Sequence, residues 1–412
     1  MTESLRPESD AQVREVVAWA VGEEAPLEIL GRGSKRGLGR PLQTQRSLDL
    51  SGLSGITLYE PEELVLRARA GTPLAEIEAA LAENRQQLAF EPMDPGALFG
   101  AEPGGGSLGG LLACNLAGPR RIKAGAARDH FLGFEAVSGR GEAFKSGGRV
   151  VKNVTGYDLC KLLAGSYGTL AVMTEATLKV LPAPEKTRSV LVLGLEDRVG
   201  VQALSRALGS AHEVSAAAHL PAEVAARSAV AYIRDAGASV TLVRVEGTGL
   251  SVEHRCRALR AELADFGETE ELHSHNSATA WTEIRDVAPL LGREEAVVWR
   301  LSVAPTRGPE VAARLRAELA VEAYYDWGGG LVWLAVVGGE DGGREDGGEA
   351  AVRRALGNGG GHATLIRAPE ELRARVPVFQ PQDPAKAALS ERIKSGFDPR
   401  RVLNPGRMYA GV

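Results

Sequence analysis

Three clusters of glycine are the residues best placed to do chemistry in this chain: GRGSKRG at 31–37, GGGSLGGLLACNLAG at 104–118 and GSYGT at 165–169. Glycine has no Cβ, so it reaches positive φ without strain and lets the backbone come close to a ligand. Each cluster taken alone is equally well served by turn chemistry. Their recurrence early in the chain, each beside a strand pattern, fits a second task. A dinucleotide pyrophosphate carries two negative charges and is held best by closely approaching backbone N–H groups, at about 1.5–3 kcal/mol for each charge-assisted hydrogen bond. Two familiar cradles are excluded. GRGSKRG lacks the G-x-G-x-x-G spacing, and no G-x-x-x-x-G-K-[ST] string occurs. A dinucleotide here needs a different fold.

Other candidate groups are sparse. Cys114, Cys160 and Cys256 are odd in number, far apart and never in a CxxC pair, so neither a disulfide framework nor an iron–sulfur cluster is expected. Electrons handled here must leave through something the chain does not carry. His273-Ser-His275 has the look of a metal pair, but without a nearby carboxylate or cysteine it is better explained as a solvated turn, and no metal is expected. Arg285 and Arg300 could clamp a carboxylate bidentately or close salt bridges within the domain.

The elements that must position these groups alternate. Ser9 and Gln12 make a capping-box pattern before a helix with Val13, Val16, Val17 and Ala20 on one face. Leu27–Leu30 has the pattern of a buried strand running into the first glycine cluster. Residues 64–70 alternate as a strand, and Thr72-Pro73 suits the start of a helix burying Leu74, Ile77 and Leu81. Further strands are expected near 134–137 and over 169–180, with a helix from Tyr157 to Gly165 between them. Pro182 and Pro184 then break the pattern. We expect an α+β chain of three parts: 1–184, a second α+β domain over 185–375, and a C-terminal segment 376–412 that returns to the first domain. Residues 338–361, rich in glycine and charge, suggest a flexible insertion.

Composition limits the partners. Net charge is −5, hydrophobic residues make up 44% and charged residues 25%, without a basic run, so nucleic acid is not expected. No apolar stretch approaches the roughly 20 residues of a membrane span, and the polar, acidic start lacks the pattern of a signal peptide. A cytoplasmic protein is expected, in contact with a membrane only through partners. Glycine is the outlier, at 50 of 412 residues, about 12% against a usual 7%.

The strings ILGRGSKRGLG, GGSLGGLLACNLAGPRRIKAGAARDHFLGFEAVSGRGE, GGRVVKNVTGYDLCKLLAGSYGTLAVMTEATLKVLP and FDPRRVLNPGRMY together resemble the PCMH-type FAD-binding domain of the vanillyl-alcohol-oxidase superfamily. With AWTEIRD, VVWRLSVAPT, DWGGGLVWL and GGHATLIRA, the resemblance narrows to the accessory FAD-binding subunit of glycolate oxidase. It implies a PCMH-type domain of two α+β subdomains with an α+β cap domain, and FAD as cofactor. It also implies two partners: a homologous catalytic flavoprotein and an iron–sulfur subunit.

The first pyrophosphate loop of the family falls on Arg32, Gly33, Ser34, Lys35, Arg36 and Gly37. The flavin-facing loop falls on Gly109, Gly110, Ala113, Cys114, Asn115 and Gly118. Pro92, Gly168, Thr169, Val172 and Asn404 complete the implied cofactor contacts, and Lys152 and Tyr157 either flank the flavin edge or anchor their loop. Cys114 stands where threonine is common, and Met93-Asp94-Pro95 is an untidy match. The first loop has no histidine, and Cys114 is better explained as a structural cysteine than as a flavin link, so FAD is expected without a covalent bond. The histidine set of family members that oxidise 2-hydroxy acids is not found here, which favours an accessory role and leaves the catalytic residues unassigned.

Overall fold

Local chemistry starts the first helix. The Ser9 hydroxyl accepts the Gln12 amide at 3.3 Å and opens Asp10–Gly22, which buries Val13, Val17 and Ala20. The Gln12 side chain accepts in turn from the amide of Glu8, one residue ahead of the cap, at 2.7 Å. The computed structural model describes residues 3–149, 156–292, 295–338, 345–357 and 359–412. Contacts divide the chain into two units, one of residues 1–117, 125–183 and 381–412, the other of 118–124 and 184–380.

The first unit has two sheets with separate cores. Leu27–Leu30 and Glu3–Leu5 both lie parallel to Arg46–Asp49, and this small sheet shares its core with Val13, Val17, Val172 and Leu403. The larger sheet is antiparallel in the order Ile56–Glu60, Val65–Arg69, Ala171–Lys179, Phe131–Ser138, Ala143–Gly147. It packs on the helix Leu74–Glu83 through Leu74, Ile77 and Leu81.

That helix is not capped by Thr72. It starts after Pro73 without a side-chain cap, because the buried Thr72 hydroxyl donates to Arg69 O at 2.7 Å. The amide of Leu74 donates instead to Gly106 O at 3.0 Å, which ties the helix to the second glycine cluster. Ahead of the C-terminal turns lies a helix the sequence patterns did not reveal, Pro384–Phe397, capped by the Asp383 carboxylate.

The second unit is an eight-stranded antiparallel sheet in the order Thr269–Leu272, Lys186–Leu193, Val240–Gly247, Ala216–Leu220, Val321–Asp326, Leu331–Val336, Val297–Ser302, His362–Arg367. Helices that include Asp197–Leu208 and Gly249–Leu263 pack one core, and Gly308–Glu318 and Glu349–Leu356 pack another. Residues 118–124 belong to this unit: Trp327 Nε1 donates to Gly118 O at 3.1 Å, and Arg120 makes two bonds to Glu246 at 2.7 and 3.0 Å.

The expected flexible insertion at 338–361 is corrected over its second half. Residues 339–344 and 358 lie outside the described residues, but Glu349–Leu356 is a helix that buries Ala351, Val352, Ala355 and Leu356. Asp346 caps it, accepting from Gly348 and Ala350, each at 3.0 Å. The four apolar residues form a helical stripe that the surrounding glycines and charges mask.

Candidate functional site

The first glycine loop leaves the strand Leu27–Leu30 through Gly31, where a Cβ would meet Ser107 Oγ at 2.1 Å. A side chain here would force Ser107 to shift, so glycine lets the loop lie against the second cluster. Gly33 has φ 79°, and the turn closes through Arg36 N to Gly33 O at 3.1 Å and Leu38 N to Lys35 O at 3.0 Å. The Arg36 guanidinium is engaged by two bonds to the buried Glu28 carboxylate, at 3.0 and 2.6 Å. Among the described residues, no acceptor meets the amides of Gly33, Ser34 and Lys35.

The second wall is the short helix Leu108–Cys114. Its start is pinned by Leu108 N to Thr72 O at 3.0 Å and Gly109 N to Ala70 O at 2.7 Å, and a Cβ on Gly109 would press on Ala70 at 3.0 Å. Gly110 differs. A Cβ there would meet only Ser107 Oγ at 3.3 Å and Lys35 Cδ at 3.6 Å, so protein packing alone does not require glycine at this position. Asn404 ties the third side together, with Nδ2 donating to Tyr167 O at 2.7 Å and Oδ1 accepting from Ile29 N at 2.8 Å. It braces the loops through both ends of its amide. Arg407 donates to Arg36 O at 3.1 Å and is itself buried.

These walls enclose a cleft of about 700 Å³, open solvent at its mouth included, whose lining contains Arg32, Lys35, Arg36 and Arg407 and no carboxylate. Burial lowers the Lys35 pKa, against the pull of Cys114 and Asp94. Burial also pushes the Cys114 thiol up to about 11, against Lys35 and Arg407, so the thiol stays protonated at neutral pH. A concave, cationic site with open amides and a glycine that faces the cleft suits a dinucleotide diphosphate.

The structure brings eleven of the residues named from the sequence to this cleft: Arg32, Gly33, Ser34, Lys35, Arg36, Gly109, Gly110, Ala113, Cys114, Gly168 and Asn404. Six lie elsewhere. Gly37 faces the Phe99 ring, where a Cβ would meet it at 2.6 Å, and Pro92 is buried. The Asn115 side chain accepts from Arg128 N at 3.0 Å, and Gly118 belongs to the second unit. Thr169 bonds Ser166 O at 2.7 Å, and Val172 is fully buried in the core of the small sheet.

The sequence reading missed Gly31, Ser107, Tyr167 and Arg407 as lining residues. All four stood inside quoted strings, Gly31, Ser107 and Tyr167 within the three glycine clusters and Arg407 in the C-terminal string; Tyr167 has a φ of 54°. Of the remaining candidates, Lys152 lies outside the described residues and Tyr157 is 89% exposed. Arg285 makes two bonds to Asp286, at 2.8 and 2.7 Å, and Arg300 lies over the Trp327 ring. His273 sits at the start of the helix Ser274–Arg285. Among the described residues no group of three or more His, Cys, Asp or Glu could hold a metal.

A family model described as an FAD binding domain matches residues 4–147. The chain is 34% identical over 396 residues to glycolate oxidase subunit GlcE of Escherichia coli (strain K12), covering 96% of each. It is 26% identical over 425 residues to glycolate oxidase subunit GlcD of Bacillus subtilis (strain 168), covering 94% of this chain and 85% of that protein. A solved alkyldihydroxyacetonephosphate synthase matches with a TM-score of 0.71 at 17% identity, covering 98% of this chain and 76% of that one, a likeness of fold alone. The fold is the α+β, PCMH-type fold of FAD-binding proteins, and FAD is the cofactor.

Proposed function

The chain belongs to the family of FAD-binding glycolate oxidase subunits, and from that premise we propose that it is the flavin-holding, electron-relaying member of a multi-subunit glycolate dehydrogenase. It is a component of an FAD-dependent oxidoreductase; the proposal concerns its place among partners. The observation that carries it is the cleft itself, cationic and lined by glycines and open amides. Bound FAD supplies two-electron redox chemistry. The chain's own part is to hold it: the amides of Gly33, Ser34 and Lys35 would face the diphosphate, and Gly110 leaves room for it. The protonated Cys114 thiol is a poor nucleophile, which supports FAD held without a covalent bond.

Division of labour follows from what the residues offer. Cys114, Cys160 and Cys256 are separate free thiols, and burial pushes Cys160 and Cys256 each up to about 12. None suits cluster ligation, so electrons would pass to a separate iron–sulfur subunit, and glycolate would be oxidised at a homologous catalytic flavoprotein. Among the described residues no helix is long and apolar enough to cross a membrane; the reading is a cytoplasmic chain that meets a membrane only through partners. Turnover of glycolate with an artificial acceptor tests this. The purified chain alone should be inactive and should gain activity when co-expressed with both partners. Turnover above about 1 per second by the chain alone would make it a stand-alone oxidoreductase.

A further inference from the structure

We propose that the Lys35 ammonium is the buried counter-charge for the diphosphate of FAD, a side-chain contact added to those of the loop amides. The proposal rests on the FAD reading above and goes further by assigning the charge. Lys35 is 8% exposed and lines the cleft. An ammonium has three donors, yet among the described residues the one hydrogen bond of the Lys35 ammonium is to Ser34 Oγ, at 3.2 Å. The other buried lysine of this unit shows what burial requires. Lys394 donates to Thr169 O, Asp398 Oδ2 and Leu403 O at 2.6, 2.7 and 2.9 Å, and all three donors are used. A buried ammonium with two open donors is costly unless an anion meets it.

The other cations of the cleft are less suited. Arg36 is spent on Glu28, Arg407 donates to backbone carbonyls of the loop, and Arg32 is exposed. The Lys35 side chain runs past the glycines: its Nζ lies 3.2 Å from where a Cβ on Gly106 would be, and its Cδ 3.6 Å from one on Gly110. Lys35 and Gly110 therefore line the same cleft.

The charged and titratable groups around Lys35 are Cys114 on the short helix, Asp94 on the preceding loop, Arg407 on the C-terminal segment, and Arg32 and Arg36 on its own loop. Asp94 is committed to turn amides, accepting from Gly96 N at 2.9 Å and Gly104 N at 2.5 Å. Burial lowers the Lys35 pKa, and a diphosphate beside it would raise it. FAD binding therefore takes up a proton, and affinity weakens as pH rises toward the ordinary lysine range near about 10.4.

The test compares the flavin-free full chain with Lys35→Met and Lys35→Arg, titrated with FAD and with riboflavin, which lacks the diphosphate, and melted without ligand. Lys35→Met should weaken FAD about 10- to 100-fold, leave riboflavin unchanged, lose the pH dependence and melt at or above the wild-type temperature. Lys35→Arg should recover part of the loss. Wild-type FAD affinity in Lys35→Met, equal losses for FAD and riboflavin, or a lower melting temperature would overturn the assignment. A wild-type chain that binds no FAD at any pH would overturn the FAD reading itself.

Discussion

Lys394 and Lys35 are both buried in the first unit, and the regions around them differ in kind. Each of the three Lys394 donors meets an acceptor, and Asp398 also receives the amides of Val402 and Leu403 at 3.0 and 2.9 Å. Around Lys35, among the described residues, two ammonium donors and three loop amides meet no protein acceptor, and Gly110 lines the same cleft. The second unit resembles the Lys394 region. Arg285 pairs with Asp286, Arg188 with Glu271 and Glu253, and Asp197 with Arg316 and Tyr325. Among the buried side-chain nitrogens and oxygens of the described residues there, those left without a partner are Arg188 Nε and Arg227 Nε. Polar groups that satisfy one another build architecture; polar groups left open in a concave place mark a ligand.

The largest effect should come from breaking the closed region. Lys394→Met leaves Asp398 buried without its cation and should cost about 3–5 kcal/mol, measured by urea unfolding; a loss under about 1 kcal/mol would show that the pair is not the clamp it looks to be. Next comes the open region. Gly110→Val should weaken FAD at least about 100-fold, or roughly 2.7 kcal/mol, while circular dichroism stays unchanged, because the added Cβ meets little of the protein. Full FAD occupancy in that variant would make Gly110 an ordinary turn residue.

The smallest effect lies in the second unit and depends on pH. Burial works to raise the pKa of Glu246, but Arg244 and Arg120 overcome it and leave it at about 2, below the ordinary 4.5. A depressed carboxylate stabilises the fold fully above its unfolded pKa and loses that contribution as pH falls through the folded value. Stability should therefore decline between pH 4.5 and 2. Glu246→Gln should flatten that decline in an acid titration of stability and leave FAD affinity alone. An unchanged acid slope would assign the transition to other carboxylates.

Much of the fold was legible where the signal is local. Leu27–Leu30 and Val65–Arg69 are strands where their patterns marked them, and Ser9 caps as its spacing implied. Legibility ended where distant residues decide. Thr72 has the chemistry of a cap, but burial in a turn claims its hydroxyl. Glu349–Leu356 hides its stripe among glycines whose positive φ, as at Gly347 and Gly348, serves the turn ahead of a packed helix. The same holds at the cleft. Spacing located the loop 31–37, but only packing separates Lys35, which lines the cleft, from Gly37, which meets Phe99. Arg407 reaches the loop from more than 360 residues away in sequence.

The most direct test of the claim that the open cleft of the first unit holds FAD without a covalent bond is acid precipitation of the purified full chain, with flavin measured in both fractions. The account predicts about one FAD per chain, all of it in the supernatant. Colour that stays with the pellet would contradict the non-covalent site, and a chain that carries no flavin and is not stabilised against heat by added FAD would contradict the site altogether.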